Sequence, residues 1–142
     1  MTYESYTKQA LPNKKYRELL GSAICVFNSN NSFVIENILK HDYNDEYSWH
    51  RLIDETSGIL AKPIKETITK NSDAKIADLF REIVSMRNRI VHSFQITDKD
   101  KTQKLATKEK NGSQYVITEE YLFDFIKKNE ELSTLLHNFR GY

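Results

Sequence analysis

The stretch Ala74–Phe94 constrains the fold most, because its apolar side chains recur at the spacing of an α-helix with one packed face. These apolar residues are Ile76, Leu79, Phe80, Ile83, Val84, Ile90, Val91 and Phe94. Arg87 interrupts the apolar face near its middle, at about 100° of rotation per residue. A guanidinium cannot lose its proton to escape burial, so it needs an anion or hydrogen-bond acceptors. We therefore expect an amphipathic helix with one unusual cation on its packed side.

Lys14–Lys40 has the same helical periodicity, although the polar run Asn28–Ser32 lies in its middle. Asn and Ser favour turns and caps, so the run is compatible with two helices separated by a break. The apolar face nevertheless keeps its phase across the run, which favours one long helix. In that helix Asn30 and Asn31 would face inward and line a polar spot.

Tyr47–Lys70 predicts a second long helix, again from an apolar stripe at helical spacing. Pro63 lies inside this stretch and cannot donate a backbone hydrogen bond. We therefore expect a kink near 60–62, or two collinear helices. Thr118 is a suitable N-cap for a last helix that runs to about Phe139.

The segment 95–117 is different in character, because it is polar and rich in lysine. Asn111-Gly112 is a strong short-range turn signal, and the following QYVIT is suitable for a strand. We expect a small exposed hairpin here, with a flexible insertion as the alternative. The sequence as a whole predicts an all-α fold, an up-and-down bundle of about four long helices in a single domain covering 1–142.

Composition excludes several classes of protein. The net charge of +1 is not that of a strongly basic nucleic-acid-binding protein, so any positive site must be local. One cysteine, Cys25, rules out an internal disulfide framework. No apolar run approaches the ~20 residues of a membrane span, and residues 1–9 lack a hydrophobic signal core. We expect a cytoplasmic protein that does not contact a membrane.

The familiar cofactor motifs are also missing from the sequence. The four histidines have no HExxH or other metal-ligand spacing, and no glycine-rich phosphate loop occurs. We expect neither a metal nor a cofactor.

The remaining group with chemical character is Arg87, Asn88 and His92, in the run RNRIVH. His92 lies about 140° round the helix from Arg87, at the edge of the same face. An Arg followed by Asn, and by a His after four intervening residues, resembles the signature of the HEPN superfamily (higher eukaryotes and prokaryotes nucleotide-binding domains). The resemblance covers the helical architecture from about 14 to 140, but only these few residues as a motif.

The resemblance implies a metal-independent endoribonuclease. His92 would take the proton of the RNA 2′-OH or protonate the leaving 5′-oxygen, and Arg87 would neutralise charge on the phosphoryl oxygens. Asn88 would position His92 or the phosphate. The RNA supplies the nucleophile, so DNA is not expected as a substrate. HEPN nucleases generally act as dimers, which implies a homodimer with one composite site.

Further expectations concern substrate and partners. Arg81 and Arg89, on the polar side of the helix, and Lys104 and Lys108 are candidates for contacts to flanking phosphates, although exposed lysines are often merely solvated. The resemblance implies a toxin–antitoxin or phage-defence context, with a possible antitoxin or nucleotidyltransferase partner. Many HEPN toxins with such a partner carry Tyr two residues after the His, where this chain has Phe94.

Two other interpretations remain. The chain can be a non-catalytic HEPN-like module that binds a nucleotide, RNA or protein, or an unrelated bundle with a fortuitous Arg–His pair. In both, Arg87 can serve as half of a structural ion pair, with Glu36, Asp54 or Glu55 as candidate partners. Nuclease activity requires instead that Arg87 and His92 open into a shared, solvent-accessible cleft.

Overall fold

The computed structural model describes residues 3–141, which form helices and a small sheet. The helices are α1 (Lys14–Lys40), α2 (Trp49–Asp54), α3 (Ala61–Ile64), α4 (Lys75–Val91) and α5 (Glu119–Arg140). The antiparallel strands are β1 (Phe94–Thr97), β2 (Gln103–Lys108) and β3 (Gln114–Ile117), in the order β1-β2-β3. The fold is 63% helical with a three-stranded sheet. The prediction of an all-α bundle of four long helices is therefore wrong.

The prediction of a single helix over Lys14–Lys40 is confirmed. The polar run does not break α1 because its inward-facing amides find partners. The Asn30 side chain donates to the Oδ1 atom of Asn129 at 3.0 Å and to its carbonyl oxygen at 2.7 Å. The Asn31 side chain accepts from the Ser57 hydroxyl at 2.8 Å. Buried polar groups with partners are compatible with a continuous packed face.

The second long helix over Tyr47–Lys70 is not formed. After α2 the backbone is extended at Glu55 and Thr56, and a 3₁₀-helix (Ser57–Leu60) leads into α3. Pro63 lies within the first turn of α3, where the missing N–H would have had no helical partner. A π-helical turn, Lys65–Thr69, then follows, so the segment consists of short helical pieces.

The insertion is more ordered than a hairpin, because three strands pair there. Phe94, expected as the last residue of a helix, instead pairs with Ala106 in β1. The predicted turn and strand are both present: Asn111-Gly112 joins β2 to β3, and Gly112 has a φ of +92° that glycine adopts without strain. The Thr118 side chain accepts from the Tyr121 N–H, which confirms the predicted cap of α5.

The core lies among α1, α3, α4 and α5. The ring of Phe27 stacks on Phe80 and on Phe125, with centroid distances of 6.4 and 6.2 Å. The sheet is attached to the start of α1 through the buried Tyr16 hydroxyl, which donates to the Ile117 carbonyl at 2.6 Å and accepts from the Leu105 N–H at 3.1 Å. The sheet also follows α4 directly in the chain, so it lies beside the end of α4.

Candidate functional site

The end of α4 carries the three residues of the Arg–His motif. Arg87 and Asn88 lie in its last two turns, and His92 is the residue that caps it. The His92 backbone N–H donates to the Asn88 carbonyl at 2.9 Å, which closes the final turn. Since β1 begins at Phe94, the motif lies at the junction of helix and sheet.

Arg87 faces α1 and is half-buried. Its Cζ atom lies 5.1 Å from the centroid of the Phe27 ring, within the range of a cation–π contact. Its Nε atom is buried, and it has no hydrogen-bond partner among residues 3–141. Burial lowers the pKa of the Arg87 guanidinium, although an arginine remains charged at neutral pH.

Arg87 does not form the structural ion pair that was considered as an alternative. Within residues 3–141 none of its nitrogen atoms is paired with a carboxylate, and Glu36 contacts Arg140 instead, at 3.4 Å. A half-buried guanidinium that is held by an aromatic ring rather than by a carboxylate keeps its charge available to an added anion.

His92 is exposed, and its ring has no hydrogen-bond partner in the described part of the chain. Two apolar side chains flank it in the sequence: Val91 is 50% exposed and Phe94 is 45% exposed. The imidazole is therefore accessible to a ligand, and it lies next to uncovered apolar surface.

Asn88 faces a surface groove of about 450 Å³ between the end of α4 and the turn that joins β2 to β3. The groove is lined by Ser85, Asn88, Arg89, Glu109, Lys110 and Asn111. Arg89 donates from Nη1 to the carbonyl oxygen of Lys108, which links the end of α4 to the end of β2. Asn111 was identified from the sequence only as a turn residue, because only the pairing of β2 with β3 brings the turn to the motif.

Two tyrosines line the inner side of this junction and were also missed. Tyr121 donates from its hydroxyl to the Met86 carbonyl at 3.4 Å, and its ring centroid lies 6.2 Å from that of Tyr115. The Tyr115 hydroxyl donates to Glu109 at 2.7 Å. Burial raises the pKa of both tyrosines, so at neutral pH they are hydrogen-bond donors and not bases. The sequence placed Tyr121 only within the predicted last helix, without a role at the motif.

The remaining candidates for phosphate contacts differ in whether their side chains are already paired with a carboxylate. Arg81 is exposed and pairs with Asp78 at 2.9 Å on the same helix. Lys104 contacts Asp98 at 2.8 Å and Asp100 at 3.3 Å, and the hydrogen bond to Asp98 is the main cause of its raised pKa. Lys108 is exposed. Lys104 is thus paired with carboxylates of the loop that joins β1 to β2, whereas Lys108 is open to solvent.

Two negative findings concern residues 3–141. No group of three or more His, Cys, Asp or Glu side chains is placed to hold a metal ion. No helix there combines the length and the apolar character that crossing a membrane requires.

Comparison with known proteins yields no relative: no protein-family model, curated protein or solved structure matches the chain.

Proposed function

We propose that this protein is a metal-independent endoribonuclease of the HEPN type, acting as a homodimer. The observation that carries the proposal is the state of the two charged residues at the end of α4. Arg87 is half-buried without a carboxylate partner, and His92 is exposed without a hydrogen-bond partner within residues 3–141. The groove beside Asn88 is lined by neither Arg87 nor His92, so the proposal requires both side chains to turn toward one phosphodiester when RNA binds.

The reaction is transesterification followed by release. The His92 imidazole of one copy removes the proton from the RNA 2′-OH, and the 2′-oxygen forms a bond to phosphorus. The bond from phosphorus to the 5′-oxygen breaks, and the protonated His92 of the second copy gives its proton to that oxygen. The products carry a 2′,3′-cyclic phosphate and a 5′-OH. Arg87 stabilises the charge that develops on the non-bridging oxygens.

A second copy supplies the second histidine. The reaction uses one base and one acid, but each chain contributes only one His92. A twofold axis between two copies brings two His92 side chains to one site. The exposed Val91 and Phe94 beside the motif support this arrangement, because a partner copy would cover apolar surface there. Asn88 and Arg89 would hold flanking RNA in the adjoining groove, with Lys108 and Arg81 as further phosphate contacts.

The proposed setting is a cytoplasmic toxin–antitoxin or phage-defence system, as the HEPN resemblance implies. The position at which many HEPN toxins carry a modifiable tyrosine is Phe94 here, which has no hydroxyl to accept a group. An antitoxin that acts on this chain would therefore bind it rather than modify this residue.

The experiment is RNA cleavage in EDTA by purified wild type, Arg87→Ala and His92→Ala. We expect cleavage by wild type, a loss of ~10²–10³-fold for Arg87→Ala and of ~10²–10⁴-fold for His92→Ala. Arg51→Ala, an exposed arginine on α2, is the matched control and should retain full activity. Equal cleavage by all four proteins would reveal a contaminating nuclease.

The second candidate is a non-catalytic module that binds an anion such as a nucleotide or RNA. The packing of Arg87 on Phe27 favours this candidate, because it positions a cation for an anionic ligand whether or not a reaction follows. A folded, dimeric wild type that binds RNA through Arg87 but leaves varied RNAs intact would select this function over the nuclease.

A further inference from the structure

A second pocket lies away from the end of α4, between the segment 57–69 and the first half of α4. Its volume is about 390 Å³, within the range of about 300–1,000 Å³ that is typical of small-molecule sites. Its apolar lining consists of Gly58, Ala61, Ile64, Ala77, Phe80 and Val84. The pocket can therefore take the apolar body of a small ligand.

The polar lining residues are basic or carry a hydroxyl. Lys65 and Arg81 are exposed and line the pocket together with Ser57 and Thr69. Arg81 is paired with Asp78, but Lys65 has no ion-pair partner in the described part of the chain. No carboxylate lines the pocket. Its charge is thus complementary to an anion.

The Thr69 hydroxyl is buried, and within residues 3–141 it has no hydrogen-bond partner. The Ser57 hydroxyl, in contrast, is already bonded to Asn31. Because the Thr69 hydroxyl is closed to solvent, a ligand oxygen reaches it only if the side chain rotates toward the pocket.

Lys65 and Thr69 both belong to the π-helical turn. Its wide geometry is shown by the Lys70 N–H, which donates to the Lys65 carbonyl five residues back at 3.2 Å. Such turns occur frequently at functional sites. Here the turn places the Lys65 ammonium group and the Thr69 side chain at the same pocket.

We propose that this pocket binds a small amphipathic carboxylate. The apolar chain lies against Ile64, Phe80 and Val84, and the carboxylate faces Lys65. The site is separate from the Arg–His motif, so the proposal does not depend on the proposed ribonuclease activity.

The test is isothermal titration calorimetry with octanoate and with octylammonium, which have the same chain length and opposite charge. We expect octanoate to bind at one site per chain and octylammonium to bind at least ~10-fold more weakly, the factor that one charged hydrogen bond provides. Lys65→Met should weaken octanoate binding by a similar factor. Lys62→Met is the matched control, because Lys62 lies on α3 near Glu66 and does not line the pocket.

A second pair of variants tests the location. Ala61→Phe introduces a large side chain at an exposed lining position and should abolish octanoate binding, whereas Ala74→Phe, exposed but outside the pocket, should not. In wild type, octanoate should shift the amide NMR signals of 57–69 and 77–84, a measurement that does not rely on any variant folding. Equal binding of the two probes, or octanoate shifts confined to other residues, would overturn the proposal.

Discussion

The proposed function depends most on Arg87, and its surroundings are compatible with two roles, a structural one and a phosphate-binding one. Its stem and charge pack on the Phe27 ring, while no carboxylate within residues 3–141 neutralises it. If Arg87 is purely structural, its contribution comes from the contact with the Phe27 ring. If Arg87 binds phosphate, its contribution comes from its charge. A neutral side chain of similar length distinguishes the two roles.

We predict that Arg87→Met folds with a free energy of unfolding within ~1 kcal/mol of wild type, the usual size of a cation–π contact at a partly exposed site. The methionine retains the apolar stem against Phe27. Cleavage of RNA should nevertheless fall by ~10²–10³-fold, because the stabilising charge is gone. Urea unfolding and cleavage rates, with Arg51→Met as control, check both parts. Unchanged cleavage in a destabilised protein would assign Arg87 a structural role.

At the level of elements, a hydrogen bond connects the loop after α1 to the π-helical turn. The Tyr47 hydroxyl donates to the carboxylate of Glu66. Burial, and then the hydrogen bond and charge of Glu66, raise the pKa of Tyr47 from 10.0 to about 12. The folded state therefore holds the tyrosine proton more tightly than the unfolded chain does.

This contribution should be fully present below pH 10 and should be lost as the pH rises towards 12. The unfolded chain releases the proton first, so alkali favours unfolding. We predict that the stability difference between wild type and Tyr47→Phe shrinks over this range, as measured by urea midpoints at a series of pH values. Glu66→Gln should reduce the same pH dependence. A difference that stays constant from pH 9 to 12 would contradict the assignment.

Apolar spacing along the sequence predicted some helices correctly and others wrongly. The phase of the apolar face identified α1 correctly, because the inward asparagines had partners on α5 and in the 3₁₀-helix. The same reasoning failed for Tyr47–Lys70, where extended backbone at Glu55 and Thr56 interrupts the helix although the apolar spacing continues. A π-helical turn has no distinct apolar period, so it could not be predicted from spacing.

The sheet and the candidate site were also only partly predictable from the sequence. The Asn111-Gly112 turn and β3 had recognisable local signals. In contrast, β1 (FQIT) is only four residues long, the first part of β2 is polar, and the two strands are defined by pairing with each other. The motif residues were identified from the sequence because they share one helix. Their neighbours Tyr115, Tyr121 and Glu109 come from other elements, and only tertiary structure brings them to the end of α4.

At the scale of the whole molecule, the proposed activity depends on the assembly of two chains. The apolar residues beside His92 are the surface that a second copy would cover. Val91 is 50% exposed, and Phe123, on the outer face of α5, is similarly apolar and 45% exposed. The two positions allow a matched comparison.

We predict that Val91→Asp shifts the protein from dimer to monomer in sedimentation equilibrium and lowers RNA cleavage in parallel, because a buried charge at the interface lacks a partner. Phe123→Asp should leave both the molecular mass and the cleavage rate unchanged. A wild type that is monomeric at concentrations where it cleaves RNA would exclude the composite site.

A decisive experiment on the proposed reaction varies the substrate rather than the protein. A single RNA oligonucleotide and its 2′-O-methyl counterpart are incubated with wild type in EDTA, and the product ends are determined by mass spectrometry. We expect cleavage of the unmodified RNA alone, with 2′,3′-cyclic phosphate and 5′-OH ends, because the 2′-OH is the nucleophile. Cleavage of the methylated RNA, or products with 5′-phosphate ends, would show that the proposed mechanism is wrong.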